Sequence, residues 1–280
     1  MRAGFVTCVQ LGLSCMETIY QTGYRLEVAF TLHDQLAQNK SGRVWIDEFC
    51  KEHELPLLKV RHIDDEAFLQ SVIAYNLDWL FVIGWSQIAG RSVLSAPKHG
   101  VLGMHPTLLP VGRGRASIPW AILRGLDQTG VSLFRLNEGV DTGPILLQEV
   151  IPIVNGETAT TLYEKIKMAH VSLIQSILPN LYAGTFSLND QDESSATYWP
   201  GRTPEDGLIH SSMSATEIDR LVRASTHPYP GAFIQHPNGH TIIWAGSLHF
   251  AHNSLPIKSA DDVYWATCYE FKAIKGSHTS

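Results

Sequence analysis

The stretch GFVTCVQLGLSCMETIYQTGYRLEVAFTL, residues 4–32, decides how this chain folds. Gly4 to Val9 is a short apolar run with turn residues after it, the pattern of a buried strand. Gly12 falls in the following loop, Cys15 to Thr22 reads as a helix ending at Gly23, and Leu26 to Leu32 is the next apolar run. Strand, loop, helix, strand is the opening of a parallel α/β sheet.

The alternation continues. Arg43 to His53 has helical spacing, with Val44, Ile46, Phe49 and Cys50 on adjoining faces, and Leu57 to Val60 is a third strand. Asp65 to Tyr75 reads as a helix with Phe68, Leu69, Val72 and Ile73 on its apolar side; Trp79 to Gly84 and Gly100 to Met104 are further strands. The predicted class is therefore α/β, a Rossmann-like, doubly wound, mostly parallel sheet. Ligands of such sheets sit outside the carboxyl ends of the strands, so the loops after Val9, Ile83 and Met104 are the functional candidates. Val9-Gln10-Leu11-Gly12 is not a GxGxxG, so the fold alone does not argue for a dinucleotide.

Beyond these strands, Pro119 to Gly125 reads as a short helix. Val131 to Leu136 and Ile145 to Ile153 read as strands flanking the loop Asn137 to Pro144. Thr160 to Tyr182 is a long helix with the stripe Leu162, Ile166, Ala169, Leu173, Ile177, opened by a Thr-x-x-x-Glu capping signal. SLNDQDESSA, residues 187–196, is polar, acidic and serine-rich and reads as a linker. After it come a helix near Ala215 to Ser225 and short runs at Phe233 to His236, Thr241 to Ala245 and Tyr264 to Tyr269. The expected organisation is an N-terminal domain over 1–186, a linker over 187–200 and a small β-rich C-terminal domain over 201–280, with Gly276 to Ser280 frayed.

Composition narrows the function classes. The chain has 280 residues, and 21 basic against 27 acidic residues give a net charge of −6, a poor balance for a surface that binds nucleic acid. With 44% hydrophobic and 17% charged residues it is an ordinary globular chain rather than a disordered one. No window reaches the ~18 apolar residues of a membrane span. The apolar start is interrupted by Gln10, so it reads as a buried strand rather than a secretion signal. Cys8, Cys15, Cys50 and Cys268 form no CxxC pair and read as reduced thiols of a cytoplasmic protein; no spaced ligand set for a metal is present.

The stretch that carries chemistry is residues 103–145, GMHPTLLPVGRGRASIPWAILRGLDQTGVSLFRLNEGVDTGPI. His105 ends an apolar strand, and Pro106 and Pro110 stiffen the loop after it. Asp141 sits in a Gly139-Val140-Asp141-Thr142-Gly143 turn. An Asp on one loop facing a His on another would fix the imidazole tautomer and raise its basicity. A His at a strand end is equally a hydrogen-bonded structural residue, and an Asp between glycines a turn former, and spacing alone leaves both readings open. Arg113 and Arg115 suit an anionic substrate, or are solvated or internally paired. Gln10 and Gly12, in the first loop, are candidates for substrate contact.

HPTLLP, RGRAxxPWAI, TGV and EGVDTGPIL, in that order, closely resemble the folate-dependent formyltransferase family, which includes methionyl-tRNA, glycinamide ribonucleotide and sugar-nucleotide N-formyltransferases. YWPGRTPED from Tyr198 and HPYPGAF from His227 extend the resemblance. It implies formyl transfer from 10-formyltetrahydrofolate to an amine, without a metal. His105 and Asp141 match the family's catalytic pair, while Gly103 stands where the family carries an Asn that holds the formyl oxygen. By the same resemblance Trp85, Ser86, Gln87, Ile88 and Ala89 would receive the pterin, and Glu138, Gly139 and Val140 would close the other side of its pocket.

The motifs look most like the sugar-nucleotide branch, so the expected acceptor is a small-molecule amino-sugar nucleotide of polysaccharide biosynthesis. The alternatives are a methionyl-tRNA formyltransferase, or a hydrolytic or non-catalytic relative suggested by Gly103. Neither a membrane nor a nucleic-acid partner is expected, and the β-rich appendage is the candidate surface for a homodimer contact.

Overall fold

The computed structural model describes residues 1–37 and 43–273, so the fraying expected for Gly276 to Ser280 lies outside the described residues. In chain order the elements are β1 (Ala3–Val6), α1 (Gln10–Gln21), β2 (Val28–Leu32), α2 (Asp34–Ala37), α3 (Asp47–Glu52), β3 (Leu57–Val60), α4 (Glu66–Ala74), β4 (Trp79–Val82), α5 (Arg91–Ser95), β5 (Gly100–His105), β6 (Arg113–Gly114), α6 (Ser117–Leu123), β7 (Gln128–Arg135), β8 (Ile145–Pro152), α7 (Ala159–Ala183), β9 (Tyr198–Trp199), α8 (Ala215–Ser225), β10 (Ala232–His236), β11 (Gly239–Ser247), β12 (Leu255–Lys258) and β13 (Val263–Ala273).

Seven strands form one sheet in the order β3-β2-β1-β4-β5-β7-β8. The pairs β1–β2, β2–β3, β1–β4 and β4–β5 are parallel, and β5–β7 is antiparallel. Every residue of β1, β2 and β4 is buried, as in parallel strands covered on both faces, and this is why they appear in the sequence as unbroken apolar runs. The chain runs outward from β1 through β2 to β3, then returns to β4 on the other side of β1. The switch point therefore lies between the carboxyl ends of β1 and β4.

Helix α1 starts at Gln10 rather than at Cys15. A Cβ at Gly12 would overlap the Thr7 side chain, so glycine lets the first helical turn close directly against the end of β1. Gln10 and Gly12 therefore lie in the first turn of α1, not in a loop. At the start of α7 the N-cap hydroxyl is Thr158, which accepts the Thr161 N–H at 3.2 Å; the Thr160–Glu164 signal is not the cap.

The chain divides into two compact units that do not follow the expected linear boundaries. The first comprises Met1–Gly114, Thr129–Ile151 and Lys165–Tyr198; the second comprises Arg115–Gln128, Pro152–Glu164 and Trp199–Ser280. The second unit takes α6 because Leu123 packs on the core that α8 shares with an antiparallel sheet, β10-β11-β13-β12. That core includes Ile218, Leu221, Val222, Ile243 and Tyr264. A capping box starts α8, with Glu217 N–H on Ser214 Oγ at 3.2 Å and Ser214 N–H on Glu217 Oε2 at 2.7 Å. Of the stretch 187–200 that reads as a linker, residues 187–198 belong to the first unit and Trp199 onward to the second.

Candidate active site

His105 is the last residue of β5, buried at 7% exposure, and pairs in register with Ser132 of β7. Its Nε2 lies 2.7 Å from the Gly112 carbonyl. A carbonyl can only accept, so Nε2 carries the proton of this bond. Nδ1 faces Asp141 Oδ2 at 3.5 Å, at the long limit of a hydrogen bond. The same Oδ2 accepts the Gly114 N–H at 2.9 Å. Asp141 has φ +55, a left-handed conformation that Asp tolerates better than most residues. The turn that was legible around Asp141 thus presents its carboxylate to the imidazole.

The loop between His105 and Arg113 is pinned from several sides. Ser132 Oγ donates to Thr107 O at 2.7 Å and accepts the Leu109 N–H at 3.0 Å, and Gln148 Nε2 donates to Leu109 O at 2.9 Å. Thr197 accepts from Gly112 N through its hydroxyl at 2.8 Å and from Arg113 N through its carbonyl at 2.9 Å. Sequence reasoning passed over Ser132, Gln148 and Thr197. A hydroxyl set inside the apolar run VSLF was the available signal for Ser132.

Arg113 corrects an expectation. Its guanidinium is fully buried, and all five of its N–H groups are used. Nε and Nη2 donate to Gln191 Oε1 at 3.1 and 2.8 Å; Nη1 and Nη2 donate to Glu193 at 2.8 and 2.6 Å; Nη1 also donates to the Tyr198 hydroxyl at 2.8 Å. No donor is left for a substrate anion. Glu193 raises the Arg113 pKa, and the guanidinium in turn lowers that of Glu193. Arg115 is exposed, beside Gly201 in the second unit.

Gly103 lies in the middle of β5, paired with Val82 and Phe134. A Cβ built there would lie 2.6 Å from Leu136 Cδ2. The space a side chain would enter is filled by leucine, so the departure from Asn is matched by an apolar neighbour.

On the β4 side, Gly84 takes φ +68, and a Cβ there would strike Val9. Trp85 packs into the core and donates to Gln87 Oε1 at 3.2 Å, and Gln87 also accepts Ile63 N–H at 2.9 Å. Ser86 is exposed, Ala89 is buried and Ile88 is exposed. Glu138 is exposed and meets Arg91, the equally exposed first residue of α5, at 3.5 Å. Gly139 must stay free of a Cβ because Thr142 occupies that space, and Val140 is exposed. Gln10 donates to Ser14 within α1.

His170 of α7 is fully buried and donates from Nδ1 to Ile166 O at 2.8 Å. Burial pulls its pKa down to about 4, with the charge of His105 contributing in the same direction. A cavity of about 400 Å³ in the first unit lies between Leu109–Pro110, β8 and residues 189–192, and neither His105 nor Asp141 lines it. Among the described residues no group of three His, Cys, Asp or Glu could hold a metal ion, and no helix is long and apolar enough to cross a membrane.

The imidazole of His105 and the carboxylate of Asp141 thus face each other at the carboxyl end of β5. Residues 29–178 match the family model described as formyl transferase, and residues 202–256 match that of the formyl transferase C-terminal domain. The chain belongs to the formyl transferase family.

Solved structures share the fold. Methionyl-tRNA formyltransferase from Clostridium thermocellum is 17% identical with a TM-score of 0.66, over 99% of this chain and 100% of that one. The N-formyltransferase from Helicobacter canadensis, in complex with folinic acid and dTDP-3-aminofucose, is 15% identical with a TM-score of 0.71, over 95% and 98%. HypX from Aquifex aeolicus, in complex with tetrahydrofolic acid, is 17% identical with a TM-score of 0.70, over 97% of this chain but 44% of that one. The chain therefore spans less than half the length of HypX.

Proposed function

We propose that the protein moves a formyl group from 10-formyltetrahydrofolate to the primary amine of a nucleotide-linked amino sugar, with His105 and Asp141 as catalytic residues. The observation that carries this reading is the facing of His105 Nδ1 and Asp141 Oδ2 at 3.5 Å, with a surface Arg91–Glu138 pair between the start of α5, into which the β4 loop leads, and the Asp141 loop. Exposed Ile88 and Val140 on these two loops suit the faces of a flat heteroaromatic ring, and the loop backbones offer polar groups to its edge.

The acceptor amine, unprotonated, attacks the formyl carbon, giving a tetrahedral centre with a negative oxygen and a positive nitrogen. Asp141 Oδ1 makes no hydrogen bond among the described residues and can take the nitrogen's proton, directly or through water. A proton arriving at His105 Nδ1 meets the same carboxylate. His105 Nε2–H rests on a neutral carbonyl, Gly112 O. A developing oxyanion is the stronger acceptor, because charge-assisted hydrogen bonds are about twice as strong as neutral ones. The N–H therefore leaves Gly112 for the formyl oxygen as charge builds, which favours the transition state over the ground state. The old C–N bond then breaks, and the proton removed from the amine passes to the departing folate nitrogen. With Leu136 occupying the space beside Gly103, that residue supplies no side-chain donor.

The amino-sugar acceptor is supported by the net charge of −6, which suits a small phosphorylated substrate held by local groups better than a transfer RNA. The Helicobacter canadensis N-formyltransferase, which shares the fold, was solved with dTDP-3-aminofucose. Incubation with 10-formyltetrahydrofolate and a panel of amino-sugar nucleotides tests the reading. Acceptor-dependent release of tetrahydrofolate supports it. Acceptor-independent release makes the protein a hydrolase, and formylation of initiator tRNA alone makes it a tRNA enzyme.

A further inference from the structure

We infer that Gln191 is a positioning residue for Asp141, locked in its working orientation by the buried Arg113 guanidinium, which exposed Glu193 holds in turn. The inference rests on the proposed role of Asp141 and adds a residue outside the loops that carry His105 and Asp141.

The Gln191 amide is fully committed. Oε1 accepts two N–H groups of Arg113, at 3.1 and 2.8 Å. Nε2 donates to Asp141 O at 2.8 Å and to Gly143 O at 2.7 Å. These partners remove the usual ambiguity of a glutamine amide: a guanidinium only donates and a carbonyl only accepts, so the oxygen must face Arg113 and the nitrogen must face the turn. Arg113 cannot turn away, because its remaining N–H groups are held by Glu193 and Tyr198.

The two carbonyls that Gln191 bridges flank Thr142, in the turn where Asp141 adopts φ +55. Asp enters the left-handed region more readily than most residues, and the bonds from Gln191 favour that conformation over the alternatives open to the turn. The turn also packs closely on β7 here, since the space a Cβ at Gly143 would take is filled by the Arg135 carbonyl. The amide therefore holds the peptide planes that follow Asp141 and Gly143 and, through the first of them, the direction of the Asp141 side chain toward Gly114 N and His105. Misplacing a reacting group by about 1 Å lowers turnover about 10²-fold.

Gln191→Glu tests this directly. The carboxylate still pairs with Arg113 but turns an oxygen, instead of an N–H, toward the Asp141 and Gly143 carbonyls. We expect kcat for formyl transfer to fall at least tenfold with KM for the folate changed by less than about threefold, as for lost transition-state positioning. We also expect the amide proton of Gly114, bonded to Asp141 Oδ2, to move in a glycine-labelled NMR spectrum. Should Gln191→Glu not fold, Gln191→Met removes the same donors without adding a charge, and both readouts apply unchanged. Wild-type kcat and an unmoved Gly114 resonance in a folded variant overturn the positioning role and leave the proposed function standing. If the wild-type protein itself shows no transferase activity, the proposed function fails, and a Gly114 resonance shifted in the variant still supports the positioning role.

Discussion

Asp141→Asn is the sharpest perturbation of the proton-handling pair, because it removes a charge while keeping size and backbone conformation. Asn tolerates the left-handed region as Asp does, so the φ of +55 is no obstacle. The Asn oxygen can still accept the Gly114 N–H that Oδ2 accepts at 2.9 Å. What disappears is a negative charge 3.5 Å from His105 Nδ1. At that separation a unit charge is worth about 1 kcal/mol in water and about 5 kcal/mol at an effective dielectric of about 20. His105 and Asp141 side chains are 9% and 19% exposed, between these limits and nearer the second. Since about 1.4 kcal/mol is tenfold in rate, kcat should fall on the order of 10²–10³-fold. The assay is tetrahydrofolate release in the presence of acceptor, with thermal unfolding as the control for folding. A folded Asp141→Asn protein turning over within threefold of wild type would refute the electrostatic role assigned to this carboxylate.

Gly103→Asn should destabilise the first unit by about 1–3 kcal/mol in urea unfolding, because its Cβ would lie 2.6 Å from Leu136 Cδ2, and adding Leu136→Ala should recover most of the loss. An unchanged midpoint in the single variant would mean that Leu136 does not fill this space. His170 predicts an acid sensitivity. Its pKa is 6.5 unfolded and about 4 folded, so the unfolded chain binds a proton first and stability drains away as pH falls below 6.5. The loss relative to pH 7 is about 2 kcal/mol at pH 5 and about 3 kcal/mol at pH 4. Denaturant unfolding at these pH values should show that component in the wild type and lose it in His170→Leu; equal acid sensitivity in both proteins would assign the loss to other groups.

Legibility in the sequence followed how local each cause was. β3 over Leu57–Val60 and α8 over Ala215–Ser225 carry their own boundaries, α8 through the Ser214–Glu217 capping box. His105 at the end of an apolar run and Asp141 between glycines are visible as candidates, but their pattern leaves a structural reading open, and the resemblance to the formyltransferases is what singles them out. Gly12 resembles a turn residue and so moves the expected start of α1 to Cys15, whereas the structure uses it for close contact with Thr7. The segment at 187–196 reads as a linker because its side chains are polar, yet Gln191 and Glu193 are the partners that a buried Arg113 requires. That pairing spans about eighty residues of sequence, and no local pattern announces it. The two-residue strands β6 and β9 likewise depend on partners far away in the chain.

Mass spectrometry of an amino-sugar nucleotide panel, incubated with the protein and 10-formyltetrahydrofolate, puts the largest claim to the test. The account predicts that at least one nucleotide gains a single formyl group, that tetrahydrofolate appears in equal amount, and that neither happens without an amine. Consumption of 10-formyltetrahydrofolate at the same rate with no acceptor present would contradict it.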